Sequence, residues 1–154
     1  MLYFAYGSNM NWEQMRQRCA SARQVCVALL PDHCLAFTRY SSRRGCGVAD
    51  AVPAAGEAVW GVVYELDEMD LAALDRHEGY LPGRERNAYH REARTVYEEG
   101  RDDRPREAQV YFAEREDDPP LPNTDYVQTI LDGAAYWGLP AEYLSRLKKT
   151  EVTG

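Results

Sequence analysis

Short runs of apolar and aromatic residues, separated by glycine, proline and charged clusters, recur along most of the chain. Runs of this length, rich in β-branched and aromatic residues, predict about seven short strands. The predicted strands are residues 2–6, 24–30, 33–40, 46–52, 57–66, 88–97 and 107–113. Turns are predicted between them at residues 7–9, 31–32, 41–45, 53–56 and 98–106.

Apolar positions with helical spacing predict four helices. The first begins after the N-cap Asn11, with Gln14 three residues on, and ends near residue 19. The second begins at Asp67 and ends at Gly79. The third carries apolar residues from 126 to 137 and stops at Gly138, and the last begins with Pro140 as its first residue. Residues 81–87 are predicted to be a polar loop and 117–123 an extended connector stiffened by prolines.

The helices fall at the start, middle and end of the chain and do not alternate strictly with the strands. This order predicts an α+β fold, in which a mostly antiparallel or mixed sheet curls into a small closed barrel flanked by helices. The 154 residues contain no internal repeat and no shift in composition. We therefore expect a single domain spanning residues 1–154.

Composition narrows the classes of function. The net charge is −7, which argues against a nucleic-acid or anionic-membrane partner, because phosphate neutralisation requires clustered basic residues. No apolar run approaches the ~18 residues of a spanning helix, and no basic region precedes the first apolar stretch, so we expect a cytoplasmic protein. The histidines are scattered and the four cysteines form no C-x-x-C pair. No metal or other cofactor is expected, and the cysteines are expected to be reduced and mostly buried, with a redox role open for an exposed one.

The turn Tyr6-Gly7-Ser8-Asn9 is the first candidate site, because it lies between a strand and a helix start. Glycine lets a ligand approach the backbone, and the free amides that follow suit an anion such as a carboxylate. An ordinary turn with a helix cap is the alternative.

Glu78 is the second candidate. It shares a helix face with Leu71 and Leu74, so its carboxyl is expected to point toward the core. Burial and a helix C-terminus both raise the pKa of a carboxyl group toward the range useful for proton transfer. The alternative is a terminal glutamate that extends into solvent. Neighbouring His77 is expected to face solvent.

Tyrosines are unusually frequent, with eleven against three phenylalanines. A buried tyrosine requires a hydrogen-bond partner for its hydroxyl, so a polar cavity is one interpretation and an ordinary core position the other. The candidates are Tyr3, Tyr6, Tyr89, Tyr111 and Tyr126.

Four segments in this order resemble the γ-glutamylcyclotransferase family, including its small bacterial and AIG2-like members. They are LYFAYGSNM (2–10), EAVWGVVYEL (57–66), LDRHEGY (74–80) and DYVQTILDGAAYWGLPAEYLSRLK (125–148). The resemblance implies a small closed β-barrel and the conversion of γ-glutamyl compounds to 5-oxoproline with release of an amine. It also implies a general acid/base at Glu78 and a substrate-binding set of Tyr3, Phe4, Ala5, Tyr6, Gly7, Ser8, Asn9 and Tyr126.

The leaving group is left open by the sequence. An amino acid or dipeptide, a γ-glutamylamine and a γ-glutamyl-protected acyl chain all fit the same ring closure, and a non-catalytic carboxylate-binding protein is a further alternative. The loop after Gly79 is somewhat longer than in animal members of the family. Its residues Arg84, Glu85 and Arg86 form either a recognition lid or a solvated surface. The sequence predicts no oligomeric state.

Overall fold

The apolar runs form five strands that hydrogen-bond into one closed barrel in a computed structural model, which describes residues 1–153. The strands are β1 (Leu2–Ala5), β2 (Arg23–Ser41), β3 (Cys46–Glu65), β4 (Tyr89–Glu98) and β5 (Pro105–Ala113). Their order around the barrel is β1-β3-β2-β4-β5. Strand β1 runs antiparallel to β3 and parallel to β5, where Tyr3 faces Gln109. The predicted small closed mixed barrel is confirmed.

The prediction of seven short strands was wrong, because two pairs of predicted strands are continuous. The ladder between β2 and β3 passes from Pro31 opposite Ala58 to His33 opposite Pro53, so residues 54–57 bulge out against Asp32. The backbone N–H of Gly56 donates to Asp32 Oδ1 at 3.0 Å. Both residues have positive φ, 58° for Asp32 and 81° for Gly56. The turn-forming residues therefore bend a long hairpin and do not reverse the chain.

Four helices flank the barrel: α1 (Trp12–Arg18), α2 (Glu68–His77), α3 (Thr124–Trp137) and α4 (Ala141–Lys148). Helix α1 begins as predicted, with the Asn11 side chain accepting a hydrogen bond from the Gln14 N–H. The predicted glycine stops are also found, since Gly79 and Gly138 adopt φ of 67° and 76°. Pro140 is the residue before α4 and not its first residue, a difference of one position.

A 3₁₀ turn (Ser8–Met10) connects β1 to α1 and is packed under α3. Its Met10 is fully buried, together with Ile130 of α3. The Trp137 indole N–H donates to the Met10 carbonyl at 2.9 Å. Helix α3 therefore holds the segment after β1 in place at one end of the barrel. No helix among the described residues is both long and apolar enough to cross a membrane.

Candidate active site

The Glu78 carboxyl group lies at the C-terminal end of α2, where Glu78 is the cap residue. Helix α2 buries Leu71 and Leu74 on the face that Glu78 shares, so the side chain turns inward as predicted and is only partly exposed. The Asn9 side-chain amide donates to Glu78 Oε1 at 3.0 Å. Burial raises the pKa of Glu78, and the nearby Arg18 and the Asn9 hydrogen bond offset part of this rise.

Asn9 is buried, and its own contacts fix the orientation of its side chain. Its Oδ1 accepts hydrogen bonds from Gln14 Nε2 and from Arg18 Nη1, each at 3.0 Å. Because both donors lie on the oxygen side, the amide NH₂ must face the other way. There it donates to the Tyr3 hydroxyl at 2.9 Å as well as to Glu78. Asn9 therefore positions the carboxylate and supplies it with a hydrogen-bond donor.

The turn Tyr6-Gly7-Ser8 leads into this asparagine from β1. The backbone N–H groups of Gly7 and Ser8 donate no hydrogen bond to any acceptor within residues 1–153. A Cβ on Gly7 would come within 3.3 Å of Ala49 Cβ, so glycine keeps the space beside the turn open. The Ser8 hydroxyl accepts from Gln14 Nε2 at 2.9 Å. The free amides that the sequence predicts here are present.

Two connected cavities meet at Glu78. The inner one measures about 40 Å³ and is lined by Tyr3, Tyr6, Gly7, Ser8, Asn9, Ala49, Glu78, Tyr89, Tyr111 and Tyr126. The outer one measures about 330 Å³, and Ser8, Glu78, Tyr89 and Tyr126 line both. The five candidate tyrosines therefore surround one small polar cavity. This agrees with the interpretation that they line a polar cavity and not with the alternative of ordinary core positions.

The inner tyrosines keep their phenolic protons. Burial raises the pKa of Tyr6, Tyr89 and Tyr126 above the ordinary value. Tyr6 donates its proton to the Tyr111 carbonyl and Tyr89 donates to the Ala49 carbonyl, each at 2.5 Å. The Tyr126 oxygen instead accepts the Ala49 N–H at 3.0 Å. The Tyr126 hydroxyl proton is therefore available for an oxygen in the cavity.

An ion pair between the buried Asp75 and the partly exposed Arg91 contacts the tyrosines of the inner cavity, and no sequence prediction included it. Arg91 Nε donates to Asp75 Oδ1 at 2.8 Å and its Nη2 donates to Oδ2 at 3.1 Å. The Tyr111 hydroxyl also donates to Asp75, and its ring packs edge-on against Tyr3 at 5.5 Å between centroids. Asp75 precedes Glu78 by three residues, the spacing of one helix face, which was the available signal.

Not all of the sequence-predicted residues reach the cavities. Phe4 and Ala5 are buried in the barrel and line neither cavity, so they do not reach the space where a substrate would bind. They belong to the strand that leads into the Tyr6-Gly7-Ser8 turn. The loop residues Arg84, Glu85 and Arg86 are exposed and also line neither cavity. Arg84 bonds to Asn87 and to the Gly79 carbonyl, which favours the solvated-surface interpretation.

Cysteines and possible metal ligands are the remaining candidates for chemistry among the described residues. No cluster of three histidine, cysteine or carboxylate side chains suited to a metal occurs there. All four cysteines are free, and Cys34 alone is partly exposed. Burial raises the pKa of Cys19 to about 12 and that of Cys26 to about 11, so these thiols stay protonated.

This sequence and this fold have counterparts among known proteins. The family model "Gamma-glutamyl cyclotransferase, AIG2-like" matches residues 3–128. Gamma-glutamylcyclotransferase of Mus musculus is 36% identical over 97% of this chain and 78% of the mouse protein. The Homo sapiens protein of the same name is 34% identical over 97% of this chain and 78% of its own length. A solved structure titled gamma-glutamyl cyclotransferase superposes with a TM-score of 0.89 at 32% identity, covering 99% of this chain and 89% of that one.

These matches extend over most of the chain and agree in fold and in sequence. The chain belongs to the AIG2-like γ-glutamylcyclotransferase family. The resemblance stated from the four sequence segments is confirmed.

Proposed function

We propose that this protein is a γ-glutamylcyclotransferase, which converts a γ-glutamyl compound to 5-oxoproline and a free amine. The observation that carries the proposal is the carboxyl group of Glu78, partly buried where two cavities meet and hydrogen-bonded by Asn9. Family membership supports the same reaction. A γ-glutamyl small molecule is the substrate class, while cytoplasmic location and the lack of a nucleic-acid partner stay predictions from composition.

The substrate brings its own nucleophile, so the enzyme needs no reactive serine or cysteine. The α-amino nitrogen attacks the γ-carbonyl carbon, a C–N bond forms to close the five-membered ring, and the C–N bond to the leaving amine breaks. The protein must hold the glutamyl chain folded back on itself. Orientation of two reacting groups in this way can contribute about 7–11 kcal/mol to a barrier in favourable cases. The small, tyrosine-lined inner cavity suits that constraint.

Glu78 carries the proton in this proposal. The α-amino group arrives as an ammonium ion, which is not nucleophilic, and the Glu78 carboxylate removes a proton from it. The same carboxyl group then delivers that proton to the departing nitrogen. The raised pKa of Glu78 suits both steps, because the group must accept and release a proton near neutral pH. Asn9 donates to one carboxylate oxygen and leaves the other for the substrate.

Free donors near Glu78 complete the proposed site. The backbone amides of Gly7 and Ser8 and the hydroxyl of Tyr126 suit an anionic oxygen. The substrate supplies two such oxygens: its α-carboxylate and the γ-carbonyl oxygen as charge develops in the transition state. Protonated tyrosines around them add no competing negative charge.

Product identity tests the proposal. Purified protein incubated with γ-glutamylalanine should release alanine and 5-oxoproline in equal amounts. The α-N-acetylated substrate should give no turnover, because its nitrogen cannot attack. Release of glutamate in place of 5-oxoproline would identify a hydrolase and contradict the proposal, as would turnover of the acetylated compound.

A further inference from the structure

The outer cavity is strongly basic although the chain as a whole is acidic. Five arginines line it, and we call them the arginine rim: Arg18, Arg39, Arg43, Arg44 and Arg76. Glu78, at its base, is the one carboxylate in the same lining. This concentration of positive charge occurs in a protein with a net charge of −7. Overall charge therefore does not explain the rim.

The rim arginines also differ from most of the other arginines in their partners. Eight of the eleven arginines elsewhere form salt bridges with carboxylates: Arg16, Arg23, Arg91, Arg94, Arg101, Arg104, Arg106 and Arg115. Among the described residues, none of the five rim arginines does. Five guanidinium groups gathered around a single carboxylate repel one another, which costs stability and is consistent with binding an anion from outside.

Two of the rim arginines are held close to the reacting centre. Arg44 Nη2 donates to Gln14 Oε1 at 2.5 Å, and its guanidinium lies 5.2 Å from the centroid of the Tyr126 ring. Arg18 donates to Asn9 Oδ1. Burial lowers the pKa of Arg18, the nearby Glu78 carboxylate offsets part of this, and the charges of Arg44 and Arg43 lower it further, so these cations crowd one another.

The other three rim arginines lie on separate elements: Arg39 in β2, Arg43 in the turn after β2 and Arg76 in α2. Arg43 and Arg76 are exposed and have no hydrogen-bonded side-chain partner within residues 1–153. A surface groove of about 410 Å³ continues from the outer cavity and is lined by Gln14, Gln17, Arg18, Arg43, Arg44 and His77. Cationic and polar side chains thus continue from the outer cavity, which Glu78 lines, onto the surface.

We propose that the arginine rim binds the leaving group and selects γ-glutamyl compounds whose leaving amine carries two or more carboxylates. This inference rests on the proposed function and names its substrate class. The glutamyl part of the substrate is zwitterionic and changes the charge balance little. A leaving amino acid with one carboxylate neutralises one of five guanidinium groups, whereas an acidic amino acid or acidic peptide engages several. Cationic leaving amines would be repelled, and a neutral acyl chain would gain nothing from the rim.

A matched substrate pair tests the selection. γ-Glutamylglutamate and γ-glutamylglutamine have nearly the same shape and differ by one charge. The acidic dipeptide should have a kcat/KM about tenfold higher, equivalent to about 1.4 kcal/mol, and 0.5 M NaCl should reduce the ratio. Arg43→Gln and Arg76→Gln should each lower the ratio severalfold. Arg146→Gln, which removes an exposed arginine of α4 outside both cavities, should leave it unchanged.

The outcomes separate the two proposals. Turnover of both dipeptides with equal kcat/KM would overturn the selection for acidic leaving groups while the γ-glutamylcyclotransferase activity stands. A preference that persists in Arg43→Gln, Arg76→Gln and their double variant would show that the rim is not its source and would also overturn the inference. If neither dipeptide nor γ-glutamylalanine yields 5-oxoproline, the proposed function itself fails.

Discussion

Gly133 in α3 is the point where this helix touches the segment that carries the site. A Cβ added there would lie 2.3 Å from the Met10 carbonyl carbon and 2.4 Å from the Asn11 backbone nitrogen. These are backbone atoms, which no side-chain rotation can move away. The hydrogen bond from the Trp137 indole N–H to the Met10 carbonyl holds α3 against this segment. Gly133→Ala must therefore move α3 or displace the residue after Asn9.

Two opposing effects set the size of the change. Alanine is favoured over glycine inside a helix by about 1 kcal/mol, which would stabilise the variant. Relieving the contact requires a shift of about 1 Å, since ordinary carbon contacts begin near 3.5 Å. Overpacking of this kind costs about 1–3 kcal/mol, and loss of the hydrogen bond to the buried Met10 carbonyl costs about 1–3 kcal/mol more. We expect a net loss of about 3 kcal/mol of unfolding free energy.

Urea unfolding followed by circular dichroism measures this loss, and 5-oxoproline formation measures the effect on Asn9. Gly133→Ala should lower both the stability and kcat/KM. Gly56→Ala is the control, because nothing lies within 4 Å of its added Cβ, although the φ of 81° at Gly56 brings a backbone strain that the helical Gly133 does not have. That control should lose about 1 kcal/mol from backbone strain and keep its activity. A Gly133→Ala variant as stable and active as the wild type would refute the reasoning.

The pH dependence of the reaction follows from the raised pKa of Glu78. The carboxylate is the active form, so kcat/KM should fall as the pH falls through that raised pKa. Asn9→Ala removes a hydrogen bond that lowers the pKa of Glu78, so it should move the acid limb of the pH profile to higher pH. An unmoved limb would show that the Asn9 contact does not influence this pKa. The ion pair of the buried Asp75 and the partly exposed Arg91 predicts a stability difference. Arg91→Met leaves the buried carboxylate without its cation, with only the Tyr111 hydroxyl as a donor, and should cost about 3 kcal/mol in urea unfolding. Arg94→Met, at a more exposed pair, should cost at most about 1 kcal/mol, and equal losses would contradict this account.

Local signals in the sequence were sufficient to predict where helices with specific capping residues begin and end. Asn11 and Asp67 each accept the N–H three residues on, and Gly79 and Gly138 adopt the positive φ that ends a helix. These contacts lie within one turn of the chain, so residue type and spacing determine them. The inward direction of Glu78 was predictable for the same reason, since Leu71 and Leu74 define the buried face of its helix.

The continuity of the long strands was not predictable from local signals. Pro31 and Asp32 are typical turn residues, and so are Pro53 and Gly56. In the barrel the two sets lie opposite each other in one hairpin. They form a bulge at which both strands bend and continue, and neither set reverses the chain. Only the pairing register reveals this, and register is a property of two segments more than twenty residues apart.

The partners within the site are likewise tertiary. Asn9 and Glu78 are 69 residues apart in sequence, and their contact depends on how α2 lies against the 3₁₀ turn. Arg18 reaches the same point from α1. No periodicity in the sequence predicts that arginines at 18, 43 and 76 converge, which is why the basic outer cavity went unforeseen in a chain with an acidic composition.

The central claim is that the Glu78 carboxylate transfers the proton during ring closure. Glu78→Gln keeps the shape and the acceptor for Asn9 but removes the titrating group. Because burial raises the pKa of Glu78 above its unfolded value, the ionised form opposes folding as the pH rises through that range, so the variant should be at least as stable as the wild type at pH 7. With folding checked by circular dichroism, its rate of 5-oxoproline formation should fall by about 10²-fold or more. A folded Glu78→Gln protein with the wild-type rate would contradict the account.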